Sequence, residues 1–398
     1  MLLQDRREAI WFNAGRSPST PRGVFFGGSL PPLRGLDAME KLTIIGAGPA
    51  GALLAFLAGS RGYDVVVYDH SPYPGSKACG WAVPRQVERV FDLPSDAVIA
   101  DINGYRVYVN GRLVREEYGK WGYIIDKPLL LKRLVSSYAE LRKRHVRVIY
   151  DCSGAVSVSG VDDGYLVIAV GHSLYVQCGA GFRGDSMIYA VQRLFRVSDG
   201  VEDVIELHFD PSLVGYYWVF PRGPSVVDVG VGGFAEPKRL MGMLEFFVRR
   251  RFGVVEALSH VKGSWIYVGG ARIDWLRREI PVIGEAAGFV YPLSGEGIRP
   301  SMASARAAME VIEGGGLSSE VKRMAAWINI QKRILDKAVK ASPSLRLKLL
   351  EKLPPSIFTG LGLGELRLRD LPRLAKYLPA SMLSMLKHGL KGFGSTER

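Results

Sequence analysis

The residues with the clearest chemical potential form a glycine-rich turn, Gly46-Ala47-Gly48-Pro49-Ala50-Gly51, directly after a short β-branched run, Leu42-Thr43-Ile44-Ile45. In this spacing Gly46 permits a tight turn, Gly48 leaves the backbone open to a pyrophosphate, and Gly51 lets a following helix pack closely on a strand. A phosphate held there would meet the free N–H groups and the positive end of the helix dipole. Asp69, eighteen residues beyond Gly51, stands where an acid takes the ribose hydroxyls of an adenosine. A second glycine cluster lies far downstream: Ile283-Gly284-Glu285-Ala286-Ala287-Gly288, then Pro292-Leu293-Ser294-Gly295-Glu296-Gly297-Ile298. It reads as a strand ending in Glu285, a glycine-rich loop and a helix opening near Ile298. That helix N-terminus and its loop amides suit the pyrimidine end of a flavin, with Glu285 meeting ribityl or phosphate-proximal hydroxyls. Tyr216, Trp218 and Phe220 share one face of a strand, which suits a half-buried core or a wall against a long apolar ligand. Cys79 is an isolated cysteine, a type that is usually an inert buried thiol.

The elements that must position these residues follow from periodicity. Residues 42–45, 52–60 and 64–68 read as strand, helix and strand, a βαβ unit closing on Asp69. Residues 105–109, 146–150, 165–170, 205–209 and 216–220 alternate as strands of a mixed or antiparallel sheet. From about Pro300 the pattern is helical, broken by Pro343, Pro354-Pro355, Pro372 and Pro379. The fold class expected is therefore α/β: a Rossmann-type dinucleotide domain, a β-sheet substrate cap and a C-terminal helical region. The expected division is an N-terminal extension (1–38), disordered or a start placed too early, then a nucleotide-binding domain (39–310, chiefly 39–150 and 275–310). The substrate sheet (151–274) interrupts that domain, and a basic helical region (311–398) follows.

Composition excludes several classes. The chain has 398 residues, 47% hydrophobic and 23% charged, which suits a folded globular protein. Three cysteines (Cys79, Cys152, Cys178) and six histidines show no CxxC or HExxH spacing, so neither a metal site nor a disulfide framework is expected, and the cytoplasm is the natural compartment. No uninterrupted apolar run reads as a membrane span. The net charge is +13, and residues 331–398 hold 14 Lys/Arg against 5 Asp/Glu, most of that excess. Such an end suits an anionic membrane face or a phosphorylated substrate. Aromatics are not interleaved with the charges, so nucleic acid is not an expected partner. No second GxGxxG follows a strand, so a two-dinucleotide reductase does not fit.

Four motifs resemble the FAD-dependent geranylgeranyl reductase family, particularly its archaeal members, over residues 40–308. They are GAGPAG with Asp69; Lys77-Ala78-Cys79-Gly80; Tyr216-Tyr217-Trp218-Val219-Phe220-Pro221, which keeps every fixed position of YxWxFP; and the GxAAGxxxPLxGEGI stretch. The resemblance implies the fold shared with p-hydroxybenzoate hydroxylases, and FAD held by Gly46, Gly48, Ala50, Gly51, Asp69, Cys79, Gly80, Ala82, Lys127, Glu285, Gly288, Gly295, Gly297 and Ile298. It implies hydrogenation of C=C bonds in geranylgeranyl chains of archaeal lipid precursors, by hydride from reduced FAD. It also implies Tyr216, Trp218 and Phe220 against the isoprenoid lipid or diphosphate, with Cys79, Tyr216 and Trp218 as the catalytic candidates. Electrons would come from a reduced ferredoxin or NAD(P)H, and the protein would sit in the cytoplasm or peripherally on its membrane. Three departures stand out. Glu285 replaces an aspartate, Lys127 stands where an arginine is usual and loses its bidentate fork, and Cys178-Gly179 takes the place of the hydroxylases' Asp-Gly pair. Rival readings are a monooxygenase or halogenase on the same fold, although YYWVFP departs from the halogenase WxWxIP, and a non-catalytic flavin- and prenyl-lipid-binding protein.

Overall fold

The structure is a computed structural model that describes residues 41–150, 156–161, 164–176, 186–198, 201–366 and 372. The expected N-terminal extension, Cys152, the Cys178-Gly179 pair and nearly all of the basic end beyond 366 lie outside these residues.

The first layer is a four-stranded parallel sheet ordered Ala139–Arg142, Asp64–Tyr68, Lys41–Ile45, Tyr165–Ile168. Three of its strands, Lys41–Ile45, Asp64–Tyr68 and Tyr165–Ile168, are chiefly apolar because both faces are covered, while the edge strand Ala139–Arg142 is charged and partly exposed. Helix α1 (Pro49–Gly59) follows the first strand, with Pro49 at its first position, where the missing N–H costs nothing. It is apolar all round, so Leu53 and Leu54 are fully buried. Helix α2 (Lys127–Ser136) is capped by the Asp126 side chain, which accepts from Leu129 N at 3.0 Å. A single turn, α3 (Ser173–Val176), follows the last parallel strand. The expected strand before Glu285 reduces to one isolated bridge, Ile168 to Val282. Residues Gly284–Ala287 instead form a 3-10 turn, because Gly284 and Gly288 both take positive φ and curl the chain.

The second layer is a nine-stranded sheet. From one edge it runs Glu256–Ala257, Met187–Arg196, Val226–Gly233, Gly215–Pro221, Val204–Phe209, Val98–Val109, Arg112–Ile125, Ala82–Pro84; Lys262–Tyr267 also pairs with Met187–Arg196. All pairs are antiparallel except Val204–Phe209 against Val98–Val109. The sheet draws on residues 82–125 as well as 187–267, so it reaches outside the 151–274 segment, and no single cut separates it from the nucleotide layer. One face packs on α4 (Pro237–Phe252), whose Leu240, Leu244 and Val248 meet Val191, Val229 and Val231. The other face borders the crevice described below. The remaining helices, α5 (Ile298–Ile312), α6 (Ser319–Lys340), α7 (Pro343–Lys352) and α8 (Pro355–Leu363), follow the proline punctuation of the sequence. Helix α5 packs on α1, while α7 has no buried residue of its own.

Beneath α4 lies a charged cluster that the sequence did not announce. Glu206 is 5% exposed and accepts from Arg251 Nη2 at 2.8 Å, from Arg251 Nε at 3.1 Å and pairs with His208 Nε2 at 2.9 Å. Burial alone would raise its carboxyl pKa, but the His208 and Arg251 hydrogen bonds and charges outweigh it and hold the group down at about 2. The sign is that of a depressed acid: the stabilisation is complete above the ordinary value of 4.5 and disappears as pH falls toward 2. Urea titrations of wild type and Glu206→Gln should therefore converge as pH drops through that window, the stability gap narrowing by about 2–3 kcal/mol.

Candidate functional site

A cavity of about 1230 Å3 runs between the two layers. One end is lined by the glycine turns and Asp69, the middle by residues 75–81 and the aromatic strand, and the far end by leucines of α7 with Phe358 and Leu361 of α8. Gly46, Gly48, Ala50, Asp69, Cys79, Gly80, Ala82, Lys127, Glu285, Gly295, Gly297 and Ile298 all line it, as do Tyr216, Trp218 and Phe220. Gly51 and Gly288 do not, and the reason is steric. A Cβ on Gly51 would lie 1.9 Å from Gly46 O, and one on Gly288 would lie 1.9 Å from Gly270 O. Both are packing glycines.

The first fingerprint divides its labour accordingly. Gly46 has φ +108° and would place a Cβ 2.4 Å from Ala169 O, so it fixes the turn against the neighbouring strand's end. Gly48, the N-cap of α1, has nothing within 4 Å of where its Cβ would be. An open cradle at a helix N-terminus with no side-chain cap is what a pyrophosphate needs. Asp69 stabilises this loop directly, accepting from Ala47 N and Ser71 N, each at 2.6 Å. The second cluster makes a similar open end: Gly297 caps α5 without a side-chain bond, and Gly295 takes φ +68°.

Glu285 has a different engagement from the one the sequence suggested. Its Oε2 is 2.6 Å from Lys77 Nζ and its Oε1 accepts from Tyr267 N at 2.9 Å. Burial opposes its charge, but the Lys77 ammonium and these hydrogen bonds hold the carboxyl below the usual range. Lys127, 3% exposed, has its pKa pushed down by burial, and its Nζ donates to Lys77 O at 2.9 Å. Both residues thus grip the strap formed by residues 75–81 instead of standing free. Beside them His172, which lines the cavity, is pushed down to about 4 by burial and by Lys77, so it is neutral at neutral pH.

The aromatic strand owes its geometry to its neighbour. Tyr216, Trp218 and Phe220 pair with Gly232, Gly230 and Asp228 of Val226–Gly233. A Cβ on Gly230 would lie 2.1 Å from the Trp218 indole, so the ring lies flat over a position that only glycine can occupy. Trp218 Nε1 donates to Asp228 Oδ1 at 2.9 Å, and the Tyr216 hydroxyl donates to Ser294 O. Burial raises the pKa of Tyr216 well above the phenol range. Cys79 is a free, half-buried thiol on the strap.

Sequence reasoning missed Lys77 as a charge partner, His172, Gln192, Arg222 and Asp228. The strand-end loop that reaches the cavity is residues 169–173, and Gly171 with φ +65° was the signal available there.

Residues 44–107 match the family described as NAD(P)-binding Rossmann-like domain. The chain is 27% identical over 357 residues to a menaquinone reductase of Mycolicibacterium smegmatis, covering 80% of this chain and 86% of that protein. It is 25% identical over 315 residues to a digeranylgeranylglycerophospholipid reductase of Methanosarcina acetivorans, covering 70% and 77%. Its fold is similar to the crystal structure of a geranylgeranyl bacteriochlorophyll reductase-like protein of Thermoplasma acidophilum, with a TM-score of 0.68 and 18% identity over 88% of this chain and all of that one. The chain is similar to these reductases over two thirds or more of its length. It has the fold of a flavin-dependent oxidoreductase, and the expected α/β class with a helical C-terminal region holds.

The two fingerprint glycines separate stability from ligand binding. Gly48→Val should fold with little change in thermal midpoint yet purify without flavin absorbance. Gly51→Ala should lose stability, by about 1–3 kcal/mol for an overpacked contact, as read by denaturant titration.

Proposed function

We propose that this chain is an FAD-dependent reductase that hydrogenates C=C bonds of a long isoprenoid chain, of the geranylgeranyl type found in lipid precursors. The observation that carries the reading is the continuity of one cavity from the nucleotide loops to an apolar tunnel under α6–α8. The residues fit the cofactor: Gly48 and the α1 N-terminus would hold its pyrophosphate, Asp69 its ribose, and Gly295 to Ile298 with the α5 N-terminus its pyrimidine edge. Bound and reduced, FAD supplies a hydride for one alkene carbon. Only one dinucleotide fingerprint is present, so electrons would come from outside, from a reduced ferredoxin or NAD(P)H.

The protein's own part is alignment. An isolated alkene is a poor hydride acceptor, so holding it in place and excluding water supplies much of the rate. Tyr216, Trp218 and Phe220 form the aromatic wall against which the chain would lie, and Leu350, Leu353 and Phe358 continue it. A proton must reach the second carbon. The Tyr216 hydroxyl is engaged with Ser294 and is a weakened acid, so it serves to fix the 294–297 loop. Cys79, which lines the cavity, is the remaining candidate to deliver the proton. Lys337 and Arg346 line the far end, where they suit a phosphate-bearing head group drawn from an anionic membrane face. No helix among the described residues is long and apolar enough to cross a membrane, so any such contact would be peripheral.

The test is anaerobic. Flavin reduced by dithionite should reoxidise on addition of geranylgeranyl diphosphate or digeranylgeranylglyceryl phosphate, with two hydrogens gained by the product. Flavin that stays reduced with both lipids, then reoxidises in air with oxygen inserted into product, would replace the reductase reading with a monooxygenase. Leu350→Trp should shorten the tunnel and cut kcat/KM on the full-length chain about tenfold or more while sparing shorter prenyl substrates, the scale of a lost apolar subsite.

A further inference from the structure

Asp228 is 1% exposed and sits on the strand behind the aromatic wall. Its Oδ1 accepts from Trp218 Nε1 at 2.9 Å. Its Oδ2 accepts from Gln192 Nε2 at 3.1 Å and from Arg222 Nη2 at 3.2 Å. Each of those two nitrogens carries a second hydrogen, and each gives it to the strap. Gln192 Nε2 donates to Cys79 O at 2.9 Å and Arg222 Nη2 donates to Gly80 O at 3.0 Å. One carboxylate thus orients two donors whose remaining hydrogens grip successive carbonyls, while its other oxygen fixes the indole.

The strap needs such a grip. Trp81 has φ +62°, a backbone conformation that non-glycine residues rarely adopt, and the Arg222 guanidinium lies over its ring at 4.1 Å. Gly80 lies against the edges of Phe220 and Trp218, so the strap and the aromatic wall touch and must be set together. Arg222 Nε and Nη1 have no hydrogen-bond partner among the described residues, so its hydrogen-bonding hold rests on the one nitrogen shared between Asp228 and Gly80. Burying a carboxylate is costly, and burial raises the Asp228 pKa against the pull of Arg222 and Trp218. A plain apolar core at this position would avoid that cost but could not direct the two strap donors.

We propose that Asp228 is a positioning residue that locks the Cys79-Gly80 strap and the Trp218 ring into one geometry, so that thiol and wall face the cavity in fixed register. It rests on the reductase reading only for what the register serves; the lock itself needs neither lipid nor reductant. Asp228→Asn keeps the shape but offers a donor where two donors converge. Iodoacetamide labelling of purified protein, read at the Cys79 peptide by mass spectrometry, should then run about tenfold faster, the scale of one lost buried hydrogen bond. Gln192→Leu, which frees only one of the two strap carbonyls, should give a smaller rise, and Trp218→Phe should give none. With lipid, Asp228→Asn should lower kcat while leaving KM within about twofold, the signature of lost alignment.

A folded Asp228→Asn that labels at the wild-type rate, or a Trp218→Phe that labels as fast as it, would overturn the proposal. Should Asp228→Asn fail to fold, Gln192→Leu and Arg222→Lys decide: unchanged Cys79 labelling in both would overturn it equally. Faster labelling with no lipid reduction by the wild type would sink the functional reading and leave the lock standing.

Discussion

Lys77 and Glu285 are 208 residues apart in the chain and 2.6 Å apart in space, and this ion pair is where the two layers are fastened. Glu285 belongs to the turn that follows the parallel sheet; Lys77 belongs to the strap that leads into the large sheet. The carboxylate is 12% exposed, so losing its partner would leave a nearly buried charge, an outcome that costs several kcal/mol. Much else is arranged around the pair. Lys127 holds the Lys77 carbonyl, Tyr267 N fills the other Glu285 oxygen, and Tyr175 stacks on Tyr267 at 3.5 Å while donating to Ala286 O at 2.5 Å. The strap is thereby stretched over the crevice between a charged anchor at residue 77 and the Asp228 cluster at residues 79 and 80.

This layout shows what a sequence can and cannot disclose. The fingerprint was legible because its glycines answer a local need: Gly46 must turn and Gly51 must let α1 approach, and both needs lie within six residues. The aromatic wall was legible because Tyr216, Trp218 and Phe220 alternate on one strand. What supports that wall was not, because Asp228, Gly230 and Gly232 acquire their role only from the pairing register of a second strand. Gln192 reaches the same spot from a third. The Lys77 partner of Glu285 was not legible, since nothing local indicates that residue 77 will lie beside it. The sheet's use of residues 82–125 was hidden likewise: the chain enters the second layer, returns to the first through α2, and re-enters at 187.

The cavity is also unequal in how firmly its walls are held. The nucleotide end is built on fully buried strands and helices, with Leu42, Ile44, Leu53 and Leu54 completely enclosed. The far end rests on α7, whose leucines line the cavity and none of whose residues is buried. Its fastening is polar. Arg346 donates to Pro211 O at 3.0 Å, Arg115 to Leu350 O at 3.3 Å, and Arg112 pairs with Glu351 at 3.4 Å.

A helix that buries so little loses little hydrophobic stabilisation when it lifts away. Opening α7 would therefore break a few polar bonds and little apolar packing, the mark of a segment that opens locally. Amide hydrogens of residues 346–352 would exchange through local opening while those of α1 wait for the whole domain to unfold. A long, flexible chain of the proposed kind would then need no dedicated hinge to enter sideways. The segment over the far end of the cavity is one that buries no residue of its own, so an occupant beneath α7 would add apolar contacts to it.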